Sequence, residues 1–285
     1  MAGSPTRGPH GRRPVGAGAA GMARRLRGGS QEWVGRVRAA LELAAPRRYL
    51  FVMSHMRSYS SLLCHILNSH SDMAGYVEMH KAYVSNMDLF DLVWRVRESN
   101  GQRLSGRYVV DKLLHNHAEV RENVLVRDDV YTLFTVREPQ QTIRSIIAMG
   151  LKRQNLDWKS EPPKVVNYYV KRLQRLNEMA AMKKGQSMFL EADRLINDTD
   201  ASLVALGSFL KLGRPLRSTY DTFEFTGKPR FGDPSRFISS GQIVSERDDY
   251  SHIEVPDKLM ARAQHAYDES RELLSGTCEQ AVAGR

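Results

Sequence analysis

The chain has 285 residues, of which 41% are hydrophobic and 26% are charged, so it can bury the core of one large α/β domain or two small ones. This composition excludes a collagen, a disulfide-rich scaffold and a wholly disordered chain. The only two cysteines, Cys64 and Cys278, lie too far apart in the chain for a disulfide framework or for metal-ligand spacing. We therefore expect reduced thiols and no bound metal.

The net charge of +10 is unevenly distributed along the chain. Residues 1–30 contain six arginines, no Asp or Glu, and eight of the 21 glycines, so this segment carries +6 and leaves +4 for the rest. We predict a disordered basic tail over residues 1–30, followed by one folded domain over residues 31–285. The mildly basic domain suits a polyanionic small molecule, and we expect no specific nucleic-acid partner.

The sequence shows no targeting or membrane segment. No stretch approaches the ~20 apolar residues that a membrane-spanning helix needs. Residues 15–23, Val-Gly-Ala-Gly-Ala-Ala-Gly-Met-Ala, are too short and too rich in glycine for a secretory signal. We expect a cytoplasmic protein without a transmembrane segment, and the sequence sets no oligomeric state.

Hydrophobic periodicity predicts alternating strands and helices. In chain order they are a helix over residues 31–44, a strand over 49–53, a helix from Leu62, strands over 107–110 and 131–136, a helix from Pro139 that ends before Gly150, a helix over 163–183, a strand over 187–190, and helices over 199–211 and 256–275. The strands are continuous apolar runs, which is typical of parallel strands buried on both faces. The pattern predicts a single α/β domain with a central parallel sheet flanked by helices.

The loop after the first strand is the most informative stretch. Residues 54–61 read Ser-His-Met-Arg-Ser-Tyr-Ser-Ser between a strand and a helix. Such a turn directs free backbone N–H groups and the helix dipole at a phosphate or sulfate. Three serine hydroxyls and the Arg57 guanidinium add donors for oxyanions. The alternative is that these serines only cap the helix. No Gly-Lys-Ser/Thr occurs, so the loop is not a Walker A loop.

A second strand–loop–helix unit carries another pair of anion-binding residues. Arg137 closes the strand over residues 131–136, and Ser145 follows within the next helix. The long arginine side chain can reach along the first helical turns and meet the serine hydroxyl at one anion.

These two units resemble the signatures of sulfotransferases that use 3′-phosphoadenosine 5′-phosphosulfate (PAPS). The family's Pro-Arg-Ser-Gly-Thr-Thr-Leu-Leu is similar to Met-Arg-Ser-Tyr-Ser-Ser-Leu-Leu at residues 56–63. Its Arg-Asp-Pro, followed after five residues by Ser, is similar to Arg137-Glu138-Pro139 and Ser145. The resemblance covers roughly residues 48–245 and implies a P-loop NTPase-like sulfotransferase fold.

The resemblance also implies residues for the donor PAPS. The first loop, with Arg57, Ser58, Tyr59, Ser60 and Ser61, is expected to hold the 5′-phosphosulfate. Arg137 and Ser145 are expected to hold the 3′-phosphate, and Ser235 resembles part of a late loop that closes over the donor. Tyr59 stands where the family has glycine, which predicts either an ordinary backbone conformation or strain at that position.

Sulfuryl transfer needs a base for the acceptor proton and cations for the leaving oxygen. Arg57 is the expected cation, and Lys112 resembles a family lysine near the transferred group. Glu78 is the expected base, because its separation from Arg57 resembles that of the catalytic pair in tyrosylprotein sulfotransferases. His80 is the alternative base, since an imidazole titrates near neutral pH.

The sequence supports one function and leaves others open. The expected function is an enzyme that transfers a sulfuryl group from PAPS to a hydroxyl, or an amine, of a carbohydrate or small-molecule acceptor and releases 3′,5′-ADP, without a metal. The alternatives are a non-catalytic PAPS-binding or nucleotide-binding scaffold and a P-loop nucleotide kinase. A nucleic-acid-binding module is disfavoured, because the basic tail contains no aromatic residue before Trp33.

Overall fold

Parallel strands at the centre of the computed structural model form one twisted sheet. The described residues are 45–99, 104, 107–152, 158–228, 233 and 237–284. The predicted tail over residues 1–30 and the predicted helix over residues 31–44 lie outside them, so both stay predictions.

Six strands are present among the described residues. They are β1 (Arg48–Met53), β2 (Met73–Ala74), β3 (Tyr108–Leu113), β4 (Val130–Val136), β5 (Ser187–Glu191) and β6 (Gln280–Val282). All pairings are parallel, and the spatial order is β2-β3-β1-β4-β5-β6. Every residue of β3 and β4 is buried, as continuous apolar runs predict.

Helices follow most strands. They are α1 (Ser60–Asn68), α2 (Asn86–Ser99), α3 (Glu122–Leu125), α4 (Pro139–Lys152), α5 (Pro162–Met182), α6 (Arg194–Asn197), α7 (Thr199–Phe209) and α8 (Asp257–Thr277), with short 3₁₀ turns at Trp158–Ser160 and Ile238–Ser240. Leu50 and Val52 join an apolar cluster with α1 and α7 on one face of the sheet. Phe51 points to the other face, where its ring centroid lies 4.6 Å from that of Tyr83.

The strand order creates a crevice. The chain runs from β1 to β2 and β3 on one side and then returns to β4 on the other side of β1. In open parallel sheets, ligands bind outside the carboxyl ends of the strands at such a switch point. Here the loops that leave β1, β3 and β4 meet at this edge.

Two predicted boundaries were wrong for physical reasons. The strand predicted over residues 107–110 continues to Leu113, because β3 accommodates Asp111 and Lys112 through hydrogen bonds. Gly150 lies inside α4 rather than after it. A Cβ at Gly150 would lie 2.5 Å from the carbonyl carbon of Lys159, so glycine serves the close approach of α4 to the Trp158–Ser160 turn.

Candidate active site

The loop between β1 and α1 is the base of the site. Arg57 and Tyr59 both have left-handed backbone conformations, with φ of 65° and 59°. Tyr59, at the N-cap of α1, therefore takes the conformation that glycine would adopt easily, and the strained alternative of the sequence analysis is the one observed. Its ring is held by Arg137, whose guanidinium carbon lies 4.2 Å from the ring centroid.

The loop serines have two different roles. Ser58 is buried, and its hydroxyl donates to the His55 carbonyl (2.7 Å) and lies 2.5 Å from the hydroxyl of Ser54, which fixes the shape of the loop. Ser60 and Ser61 begin α1, where the first backbone N–H groups have no helical partner. The Ser61 hydroxyl accepts hydrogen bonds from Lys112 Nζ (3.0 Å) and from the Asp233 amide (3.1 Å).

Arg57 joins the first loop to the second predicted signature. Its Nε donates to the Ser145 hydroxyl (2.8 Å), and its Nη1 pairs with Asp233 Oδ1 (2.9 Å). The sequence analysis assigned Arg57 to the phosphosulfate and Ser145 to the 3′-phosphate, so the structure places these two expected subsites within the reach of one side chain.

Arg137 is buried against the same loop. Its Nη1 donates to the Arg57 carbonyl (3.2 Å), and its Nε faces Asp193 Oδ1 (3.3 Å). Its backbone amide donates to Nε2 of His55 (3.0 Å), so Nδ1 carries the proton that His55 shares with the Met56 carbonyl. Burial lowers the pKa of His55 to about 4, which keeps the imidazole neutral.

Lys112 and Glu78 lie on the opposite side of the loop from Arg137. Lys112 is on β3 itself, not just past the strand, and is 1% exposed. Glu78 is 8% exposed, and its Oε1 lies 3.3 Å from Nδ1 of His80. Burial acts to raise the pKa of Glu78, but the hydrogen bond from His80 and the Lys112 charge bring it below its ordinary value. Glu78 is therefore ionised at neutral pH.

One cavity of about 590 Å³ brings the predicted residues together. Its lining includes Arg57, Ser58, Tyr59, Ser60, Ser61, Glu78, His80, Lys112, Arg137 and Ser145. Ser235 lies outside the described residues, but Asp233, two positions earlier, lines the cavity. The size suits a small molecule.

The sequence analysis missed the residues of α5 that support this cavity. Arg172 is 1% exposed; its Nε donates to the Ser54 carbonyl (2.8 Å) and its Nη2 to the Leu113 carbonyl (2.5 Å). Tyr169 donates its hydroxyl to the Arg137 carbonyl (2.6 Å). The sequence does indicate the role of Arg172, because this arginine falls among the regularly spaced apolar residues on the buried face of α5, where a charged residue is unusual.

His115 is a further cavity residue without a signal in the sequence. It lines the cavity beyond the end of β3, and its ring centroid lies 5.7 Å from that of Tyr168 and 5.2 Å from that of His117. Burial lowers the pKa of His115 to about 4, so this imidazole is also neutral at physiological pH.

Comparison with solved structures identifies the fold. The chain is similar to the "Sulfotransferase Domain from the Curacin Biosynthetic Pathway", with a TM-score of 0.53 and 16% identity over 79% of this chain and 97% of that domain. It is also similar to the "Sulfotransferase Domain from the Synechococcus PCC 7002 Olefin Synthase", with a TM-score of 0.51 and 16% identity over 79% of this chain and 94% of that domain. The predicted sulfotransferase fold, a single α/β domain with a parallel sheet, is therefore confirmed.

Other comparisons and searches gave no match. No protein-family model and no curated protein matches the sequence. In the described part of the chain, no group of three or more His, Cys, Asp or Glu side chains is arranged to hold a metal ion. None of the described helices is both long and apolar enough to cross a membrane.

The His55 contact predicts a pH dependence of stability. The folded pKa of about 4 lies below the ordinary 6.5, so folding disfavours the charged ring. His55 therefore contributes stability that is complete above pH ~6.5 and is lost as the pH falls toward 4, by up to about 2–3 kcal/mol. Urea unfolding between pH 4.5 and 7 should show a smaller loss in His55→Gln than in the wild type. The control His252→Gln, at an exposed site, should keep the wild-type pH dependence of the unfolding free energy. If His55→Gln keeps it as well, His55 is not its cause.

Proposed function

We propose that this protein is a PAPS-dependent sulfotransferase that transfers the sulfuryl group to a hydroxyl, or an amine, of a small-molecule or carbohydrate acceptor and releases 3′,5′-ADP. The observation that carries the proposal is the convergence of Arg57, Lys112, Glu78 and the Arg137–Ser145 pair on one cavity. The fold, shared with sulfotransferase domains, supports it. A cytoplasmic location is part of the proposal.

Groups that suit an anionic donor line one side of the cavity. The free N–H groups at the start of α1, with the hydroxyls of Ser60 and Ser61, suit the phosphosulfate. Arg57 Nη1 pairs with a carboxylate oxygen of Asp233, and in the donor complex it would exchange this partner for an anionic oxygen of the donor. Arg137 and Ser145 would hold the 3′-phosphate, the group that distinguishes PAPS from ATP.

The residues at the other side of the cavity suit the chemical step. A bond forms between the acceptor oxygen and sulfur while the bond from sulfur to the 5′-phosphate oxygen breaks. The ionised Glu78 takes the acceptor proton. Arg57 and Lys112 stabilise the negative charge that the leaving phosphate oxygen gains. His80, 3.3 Å from Glu78, is the alternative proton acceptor.

The two alternative functions make different demands on the site. A P-loop nucleotide kinase places a lysine within the loop, whereas Lys112 comes from β3 and the loop has no Gly-Lys-Ser/Thr. A non-catalytic scaffold needs the donor contacts alone. The buried Glu78 beside Lys112 therefore favours catalysis over binding only.

Substitution of Arg137 tests donor recognition. Arg137→Ala should weaken 3′,5′-ADP about 10- to 100-fold in isothermal titration, because a charged hydrogen bond contributes about 1.5–3 kcal/mol. Binding of 5′-AMP, which lacks the 3′-phosphate, should change much less. The control Arg175→Ala removes an arginine paired with Glu178 outside the cavity and should bind both nucleotides normally. Equal losses for the two nucleotides in Arg137→Ala would contradict the 3′-phosphate assignment.

Substitution of Glu78 and His80 tests the base. Once a screen of hydroxylated compounds with ³⁵S-labelled PAPS has provided an acceptor, Glu78→Gln should lower turnover by about 100-fold or more. Affinity for 3′,5′-ADP should stay close to that of the wild type, because the carboxylate acts on the acceptor. If Glu78→Gln keeps its turnover and His80→Asn loses it, His80 is the base.

A further inference from the structure

Asp111 is a buried carboxylate that the proposed chemical step does not use. It is 1% exposed and stands on β3 directly before Lys112. Its Oδ2 accepts a hydrogen bond from the Tyr83 hydroxyl (2.6 Å), and its Oδ1 accepts from the backbone amides of Met79 (3.0 Å) and Lys112 (2.8 Å). All three donors are neutral groups.

Such a carboxylate is costly to bury. Without a cation among its hydrogen-bond donors, the charged form loses its hydration and gains only dipolar partners. Burial accordingly raises the pKa of Asp111 to about 7, and the nearby charge of Glu78 acts in the same direction. An apolar residue at this position of the strand would avoid this cost, which points to a role for the carboxylate beyond packing.

The hydrogen bond from the Met79 amide connects Asp111 to the chain segment that carries Glu78. This segment follows β2 and is held on β3 at two points. At the first, Gly75 approaches so closely that a Cβ would lie 2.2 Å from the Val110 carbonyl oxygen. At the second, the Met79 amide bonds to Asp111. Glu78 lies between them, so its backbone is fixed on both sides.

Tyr83 makes this attachment rigid. Its amide donates to the Glu119 carbonyl (2.7 Å), its carbonyl accepts from the Arg121 amide (2.9 Å), and its ring packs on Phe51. The hydroxyl that reaches Asp111 therefore belongs to a residue that is held through both its backbone and its ring. In contrast, the contact of the Glu78 carboxylate with Nδ1 of the exposed His80 is long, at 3.3 Å. The backbone anchors on both sides of Glu78 therefore contribute to the position of its carboxylate.

We infer that the Asp111–Tyr83 pair is a positioning device, which holds Glu78 at the distance from Lys112 and the acceptor that proton transfer requires. This inference rests on the proposed function, in which Glu78 is the base. Displacement of a catalytic group by about 1 Å can cost about 100-fold in rate.

The test combines Tyr83→Phe with Glu78→Gln. Tyr83→Phe removes one hydroxyl and keeps the ring on Phe51. It should lower kcat about 10- to 100-fold while KM for the donor and affinity for 3′,5′-ADP stay near the wild-type values. In the Glu78→Gln background the same change should have almost no further effect, because the group that it positions is already inactive. The matched control is Tyr267→Phe, which removes the hydroxyl of another tyrosine bonded to a glutamate, Glu191, and should leave kcat unchanged.

Each result decides the inference. An equal loss of kcat in both backgrounds, or a normal kcat in Tyr83→Phe, would overturn the positioning role while leaving Glu78 as the base. A normal kcat in Glu78→Gln would instead overturn the base and the inference together.

A measurement that needs no acceptor distinguishes failure of the positioning role from failure of Glu78 as the base. With glutamate labelled with ¹³C at Cδ, the Glu78 carboxyl signal, identified by its loss in Glu78→Gln, should shift in Tyr83→Phe and stay in place in Tyr267→Phe. An unmoved Glu78 signal in Tyr83→Phe would overturn the positioning role whatever the activity of the protein.

Discussion

The buried guanidinium of Arg172 is the contact on which the site depends. It donates to the carbonyl of Ser54, which directly follows β1, and to the carbonyl of Leu113, the last residue of β3. These bonds hold together the end of β1, which leads to Arg57, and the end of β3, which carries Lys112. One helical turn away on α5, Tyr168 donates its hydroxyl to the Leu114 carbonyl and accepts from the Met56 amide. A single turn of α5 therefore sets the relative positions of the loops that form the cavity.

The arginines that line the cavity face carboxylates of the same chain. Arg57 pairs with Asp233, and Arg137 faces Asp193. Asp193 also pairs with Arg247, whose guanidinium carbon lies 5.8 Å from the centroid of the Tyr59 ring. Under the proposed function, a polyanionic donor with several negative oxygens would compete with these carboxylates for the same arginines. We therefore expect the cavity to favour ligands of high negative charge.

Much of this arrangement was predictable because it depends on local sequence. An apolar run, a hydroxyl-rich turn and a helix predict an anion-binding loop after β1. The spacing from Arg137 to Ser145 predicts one residue at the end of the next strand and the other in the helix that follows it. The rest depends on contacts between distant residues. Asp233 meets Arg57 across 176 positions, and Arg172 bonds to backbone carbonyls, which every residue has. The left-handed conformation of Tyr59 was one of two open possibilities, and its ring contact with Arg137 needed the folded chain.

Nucleotide selectivity measured by isothermal titration tests the central claim most directly. The wild-type protein should bind 3′,5′-ADP well and ATP, GTP and 5′-AMP at least about tenfold more weakly, because the Arg137–Ser145 pair is expected to hold a 3′-phosphate that the other three lack. Tight binding of ATP or GTP with no binding of 3′,5′-ADP would contradict the account and favour a nucleotide kinase. Absence of binding by all four nucleotides would contradict PAPS as the donor.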